Sequence, residues 1–181
     1  MIKPLKRIVL SLFLTVATSL APAQNPSAEY QVKGAFLFNF AQFTEWPSQV
    51  FSAAEDPFVI GILGNDPYGQ FLDEFVRGEN IRGRPVMVKR FSSIKEIESV
   101  HLLFIHNEFQ ISTEDLTNLA VENILTVSDA PGFTKKGGII NFYRENNKVR
   151  FEVNVDAARS AHVTLSSKLL RLAKICCDTA E

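Results

Sequence analysis

The sequence predicts an α/β fold: a single three-layer domain with a mainly parallel sheet and a C-terminal antiparallel hairpin. Two observations carry that prediction. From residue 57 to residue 128, short apolar runs alternate with helical segments, the pattern of right-handed crossovers between parallel strands. After Gly137 and Gly138 the rhythm changes: Val149, Phe151, Val153 and Val155 alternate strictly with Arg150, Glu152, Asn154 and Asp156. Such alternation means one buried and one wet face, in a hairpin at a sheet margin.

The first segment is not part of that domain. Lys3, Lys6 and Arg7 precede an apolar run from Ile8 to Leu20, which ends at Ala21, Pro22 and Ala23. A positive start, a short apolar stretch and small residues at Ala21 and Ala23 form an export signal, with cleavage expected after Ala23. An uncleaved anchor needs roughly 20 apolar residues, and Pro22 interrupts the helix where a span has to continue. The expected division is a signal over residues 1–23 and one domain over residues 24–181. Losing the signal removes three positive charges and no acid, which takes the net charge from −1 to −4. An acidic chain of this kind is a poor partner for nucleic acid or an anionic membrane, both of which need a basic patch.

The domain begins with a short leader and then a helix over residues 29–46, where Val32, Phe36, Phe40 and Phe43 repeat at helical spacing and Pro47 marks the stop. A strand follows over residues 57–63. Asp66 is placed to cap, and Pro67 to open, a helix over residues 68–77. A second strand (84–91) leads to a short helix starting at Ser92 and Ser93, and a third strand (101–106) is apolar through its middle, so both its faces are covered. Residues 112–121 form a helix with Glu114 and Asp115 in its first turn, where they suit the dipole. Residues 124–128 are a fourth strand. The hairpin spans residues 139–143 and 148–155 around Glu145, Asn146 and Asn147, and two helices, 156–161 and 166–176, close the chain.

Little in these elements carries chemistry. Gly61-Ile62-Leu63-Gly64 is not a dinucleotide fingerprint, and Ser166-Ser167-Lys168 misses the spacing of a serine–lysine nucleophile. His101 and His106 are placed on opposite faces of one strand, so they cannot share a metal within it. Cys176 and Cys177 are adjacent, without the spacing of a zinc site, and read as free thiols, an oxidised pair or a bond to a second chain. No cofactor and no metal are expected, and the protein is not expected to be an enzyme. Open α/β sheets bind ligands at the carboxyl ends of their strands, which makes Asp66 and Asp129 the candidate ligand anchors. The two resemble part of the acid cluster of a phosphoryl-accepting receiver domain, but export removes the phosphodonor that chemistry requires. A helix cap and a turn account for them without chemistry.

Three segments carry a wider resemblance. They are Tyr30 to Pro47 (YQVKGAFLFNFAQFTEWP), Ile60 to Gly69 (IGILGNDPYG), and a C-terminal set made of Gly137 to Phe142, Val149 to Asn154 and Ser166 to Ala173. Taken in that order after an export signal, they resemble the YfiR family over nearly all of residues 24–181. The resemblance implies a periplasmic α/β regulator without catalytic residues. The best-known member binds the periplasmic domain of an inner-membrane diguanylate cyclase and holds it inactive, lowering cyclic di-GMP and opposing biofilm. An outer-membrane lipoprotein titrates that repressor, and members form homodimers. Many members have Cys where this chain has His101, so redox control through mid-chain disulfides does not transfer.

The candidate partner surface is Phe38, Asn39, Glu45 and Trp46. Phe38 lies about 200° round the helix from Phe36, so the two cannot face the same core. Asn39, buried or half-buried among rings, needs a hydrogen-bond partner. An apolar strip beside polar residues is a contact surface, for a signalling protein, a second helix or a second copy. The alternatives are a periplasmic small-molecule binding or sensing protein anchored through Asp66 and Asp129, and a secreted hydrolase.

Overall fold

The computed structural model describes residues 27–53 and 55–177; the expected export signal and its cleavage at Ala23 lie outside the described residues. Helix α1 (Ala28–Gln42) leads through β1 (Thr44–Glu45) and a 3-10 turn (Ser48–Val50) to β2 (Phe58–Leu63) and α2 (Gln70–Val76). Strands β3 (Asn80–Ile81), β4 (Arg84–Phe91) and β5 (Leu102–Ile105) precede α3 (Thr113–Val121) and β6 (Leu125–Ser128). The hairpin of β7 (Ile140–Glu145) and β8 (Lys148–Asn154) follows. Then come α4 (Val155–Ser160), β9 (Thr164–Leu165), α5 (Ser167–Leu170) and β10 (Lys174–Cys176).

Eight strands form one sheet in the order β10-β8-β7-β6-β5-β2-β4-β3, and β1 pairs with β9 in a separate ribbon. From β4 to β7 every pairing is parallel, while β7 and β8 run antiparallel with Phe142 opposite Phe151 and Ile140 opposite Val153. Asn146 and Asn147, both at positive φ, make the hairpin turn. Strands β2 and β5 are apolar throughout because both their faces are covered. Phe58, Ile60, Ile62, Leu102 and Phe104 pack under α1 and α2, whereas Val59, Leu63, Leu103 and Ile105 pack under α3. Gly61, between them, has no room for a side chain, since a Cβ there meets Leu103 at 2.9 Å.

Three expectations fail, each for a physical reason. The first helix ends at Gln42, not Trp46, and turns a different face inward. Lys33, Leu37, Phe40 and Ala41 are buried, while Val32 and Phe43 are exposed at 46% and 38%. The core-facing stripe sits about a quarter of a turn from the one that spacing predicts. Apolar residues surround this helix, so periodicity does not select a face. The selection comes from an ion pair of Lys33 and from Gly34, where an added Cβ would lie only 3.2 Å from Phe71 of α2.

The expected helix over residues 166–176 is one turn. Beyond it Lys174–Cys176 extend alongside β8 in parallel, with Ile175 opposite Val153. A four-residue helix gains little on its own, and the open edge of β8 offers backbone partners to any extended chain. The hairpin is therefore not the sheet margin; β10 is. Finally, Asp66 caps a turn rather than the helix, which starts only at Gln70 after Gly69 at positive φ.

Candidate functional site

The chain switches direction across the sheet at β2, with β4 on one side and β5 on the other. Asp129 follows β6 at the carboxyl edge, the edge where such folds place ligands. Here α1 supplies its partners. Asp129 Oδ2 accepts from the Tyr30 hydroxyl at 2.8 Å and from Lys33 Nζ at 2.7 Å. The Lys33 and Asp129 side chains are each 5% exposed. Lys33 also meets Glu29 at 2.8 Å, and Glu29 continues outward to Arg144 at 3.1 Å. The Lys33 ammonium stands 4.3 Å over the Tyr30 ring, which meets Tyr68 edge to face.

Burial first, and then the hydrogen bond to Asp129, push the Tyr30 pKa upward, so the hydroxyl stays protonated and donates. Burial raises Tyr68 as well. Asp129 Oδ1 and the Tyr68 hydroxyl have no partner among the described residues. Asn141, with its amide nitrogen turned toward the loop, donates to the Ser128 and Ala130 carbonyls on either side of Asp129. This arrangement is an anchor. A carboxylate held by an ammonium and a phenol fixes α1 on the sheet and presents neither a free base nor a nucleophile.

Asp66 belongs to another network. Its Oδ1 accepts from the Tyr68 and Gly69 amides at 2.8 and 3.2 Å, and its Oδ2 from Arg90 Nε at 2.8 Å. Arg90 goes on to Asp73 and the Gly69 carbonyl, and its bonds to Asp73 first and then to Asp66 raise its pKa. Asp66 thus ties β4 to the start of α2.

The candidate partner residues lie along and just after α1. Phe38 is half-buried, its ring edge-on to Phe75 at 5.9 Å, and Phe75 in turn stacks on Phe71. Asn39 is exposed, so the internal hydrogen bond expected for it is not needed. Glu45 is exposed and pairs with Arg82 at 3.1 Å. Trp46 is half-buried against Phe58, and its indole N–H donates to the Asn123 carbonyl at 3.1 Å. Phe38 thus meets α2 through Phe75, Glu45 meets the turn after β3 through Arg82, and Trp46 serves the interior.

Sequence reasoning missed Lys33 and Tyr30 as the partners of Asp129. No local signal marks this pairing, because a lysine on a helix ordinarily faces water and only the fold brings Lys33 to Asp129. It also missed the environment of His101, which is 5% exposed between the rings of Phe51 and Phe58. His101 Nδ1 accepts from the Val59 amide at 3.0 Å. Burial, and then the charge of Arg84, lower its pKa to about 4, so the ring is neutral at pH 7 with its proton on Nε2.

Among the described residues no cluster of three or more His, Cys, Asp or Glu is placed to hold a metal, and no helix is long and apolar enough to cross a membrane. Cys176 and Cys177 are bonded to each other. The fold and these contacts define an open-sheet α/β domain whose carboxyl edge is closed by its own first helix. The chain belongs to the YfiR/HmsC-like family, which matches residues 30–174. No curated protein matches it.

Proposed function

We propose that this protein is a periplasmic regulator that binds the periplasmic domain of an inner-membrane diguanylate cyclase, holds it inactive and so lowers cyclic di-GMP. The observation that carries the reading is the family match over residues 30–174, together with what the YfiR resemblance implies. The export signal at residues 1–23 supports the compartment, and the domain of residues 24–181 is the working part. An outer-membrane lipoprotein is the expected antagonist, and a homodimer the expected assembly.

The contact surface we assign is Phe38 with Phe75, rimmed by Asn39, Glu45 and Arg82. Two partly exposed rings supply the apolar centre that such a surface needs, and the Glu45–Arg82 pair supplies polar groups. Trp46, also expected at the contact, is held inside by Phe58 and the Asn123 carbonyl. The test is capture on the purified, tagged protein from detergent-solubilised inner membrane, read by mass spectrometry. Enrichment of a cyclase with a periplasmic domain is expected, with loss of it for Phe38→Ala. Equal recovery from beads without the protein contradicts the reading.

A further inference from the structure

Two polar atoms at the carboxyl edge of the sheet are buried and unbonded. The Tyr68 hydroxyl and Asp129 Oδ1 have no partner among the described residues. Tyr68 is fully buried, two residues ahead of α2, with its ring edge to face against Tyr30 at 5.5 Å and against Phe104 at 5.1 Å. Tyr30 in turn donates to Asp129 Oδ2, so it touches both residues. Packing alone does not call for a hydroxyl at Tyr68, since Phe58, Phe104 and Phe133 are buried as deeply with plain rings. A buried tyrosine ordinarily finds an acceptor for its O–H.

The polar groups around these two atoms are committed elsewhere. Lys33 Nζ and the Tyr30 hydroxyl both donate to Asp129 Oδ2, at 2.7 and 2.8 Å. The Ser128 hydroxyl donates to the Ile105 carbonyl at 2.7 Å and accepts from the Ala130 amide at 3.0 Å. The turned Asn141 amide is taken by the Ser128 and Ala130 carbonyls, and Asp66 by the Tyr68 and Gly69 amides and by Arg90. What remains of this set is one donor, the Tyr68 O–H, and one acceptor, Asp129 Oδ1, which do not bond each other. Burial first, and then the charge of Asp129, keep the Tyr68 phenol protonated.

We infer that the Tyr68 hydroxyl and Asp129 Oδ1 together bind one water molecule, which accepts from the phenol and donates to the carboxylate. Burial sets the size of the occupant: Tyr68 is fully buried and the Asp129 side chain 5% exposed, so the molecule between them is enclosed. The ion pairs set its charge. Lys33 and Arg144 already match Asp129 and Glu29, and a bound cation would add an unbalanced charge to a buried place. The two atoms set its chemistry, because the occupant has to accept on one side and donate on the other, as water does. The bridge brings the start of α2 into the anchor of α1: Tyr30 and Lys33 reach Asp129 directly, and Tyr68 reaches it through the water. This site belongs to the chain by itself and is independent of repression.

A crystal structure of the purified protein that shows ordered solvent is the first test. The expected result is a single water within about 2.5–3.0 Å of both the Tyr68 hydroxyl and Asp129 Oδ1. A direct bond between those two atoms, or no solvent between them, overturns the inference. Urea unfolding of Tyr68→Phe is the second test and needs no crystal. The variant keeps the ring and loses the donor, so its unfolding equilibrium constant should rise about tenfold. A hydroxyl that bonds nothing is better removed than kept, so a Tyr68→Phe protein as stable as the wild type, or more stable, overturns the inference as well.

Discussion

The two edges of the sheet differ in what fills them. At the carboxyl edge, α1 lays Tyr30 and Lys33 against Asp129, so the position that ligands occupy in most open α/β folds holds an internal ion pair. At the amino edge, the crossover from β4 to β5 carries only a 3-10 turn (Ile94–Glu96) and leaves neutral His101 beside an open groove. The comparison shows how a common scaffold gives up its usual binding place. One well-placed lysine converts a ligand anchor into a helix anchor, and the free surface moves to the helix exterior and the opposite edge.

The sharpest way to break the comparison is at Lys33. Lys33→Met leaves Asp129 buried without its cation and should cost about 3–5 kcal/mol, whereas adding Asp129→Leu should restore most of the loss. Thermal unfolding of the two variants checks this. A single variant as stable as the wild type means that the carboxyl edge is not locked.

The amino edge is sharpened by pH. The folded His101 pKa, about 4, lies below its ordinary value of 6.5, so between those values the unfolded chain binds the additional proton. Its contribution is complete above pH 6.5 and is lost as pH falls toward 4, a span of roughly 2–3 kcal/mol. His101→Phe abolishes that slope. It also strands the buried Val59 amide, so at pH 7 it should be about 1–3 kcal/mol less stable, and the gap should narrow near pH 4. Urea unfolding across that range is the measurement; parallel curves for the two proteins contradict the assignment.

The smallest effect on stability is expected at Phe38. Its ring is half-buried against Phe75, and Phe38→Ala should retain the wild-type circular dichroism spectrum while weakening partner binding by about 2 kcal/mol. A folded variant with wild-type affinity removes Phe38 from the contact.

How far the sequence reveals all this depends on whether a signal is local. Strands β2 and β5 and the hairpin were legible because burial on two faces leaves continuous apolar runs, and burial on one leaves alternation. The start of α3 was legible from Glu114 and Asp115 in its first turn, but the reciprocal bonds of Ser112 and Asp115 to each other's backbone were not read. The inward face of α1 was not, because Phe36, Phe38, Phe40 and Phe43 point in different directions and the distant Asp129 and Phe71 choose among them. The fate of residues 174–176 was hidden for the same reason. Their partner is the edge of β8, which no nearby residue announces. Asp66 and Asp129 were read at the right edge of the sheet, but the groups that occupy them, Arg90 and Lys33, come from other elements.

Cellular cyclic di-GMP tests the central claim most directly. It should be measured by mass spectrometry in a strain lacking this gene, and again after complementation with the wild-type chain or with Phe38→Ala. The account predicts a rise in the deletion strain, return to the parental level with the wild type, and failure to return with Phe38→Ala. A deletion strain whose cyclic di-GMP equals that of its parent would contradict it.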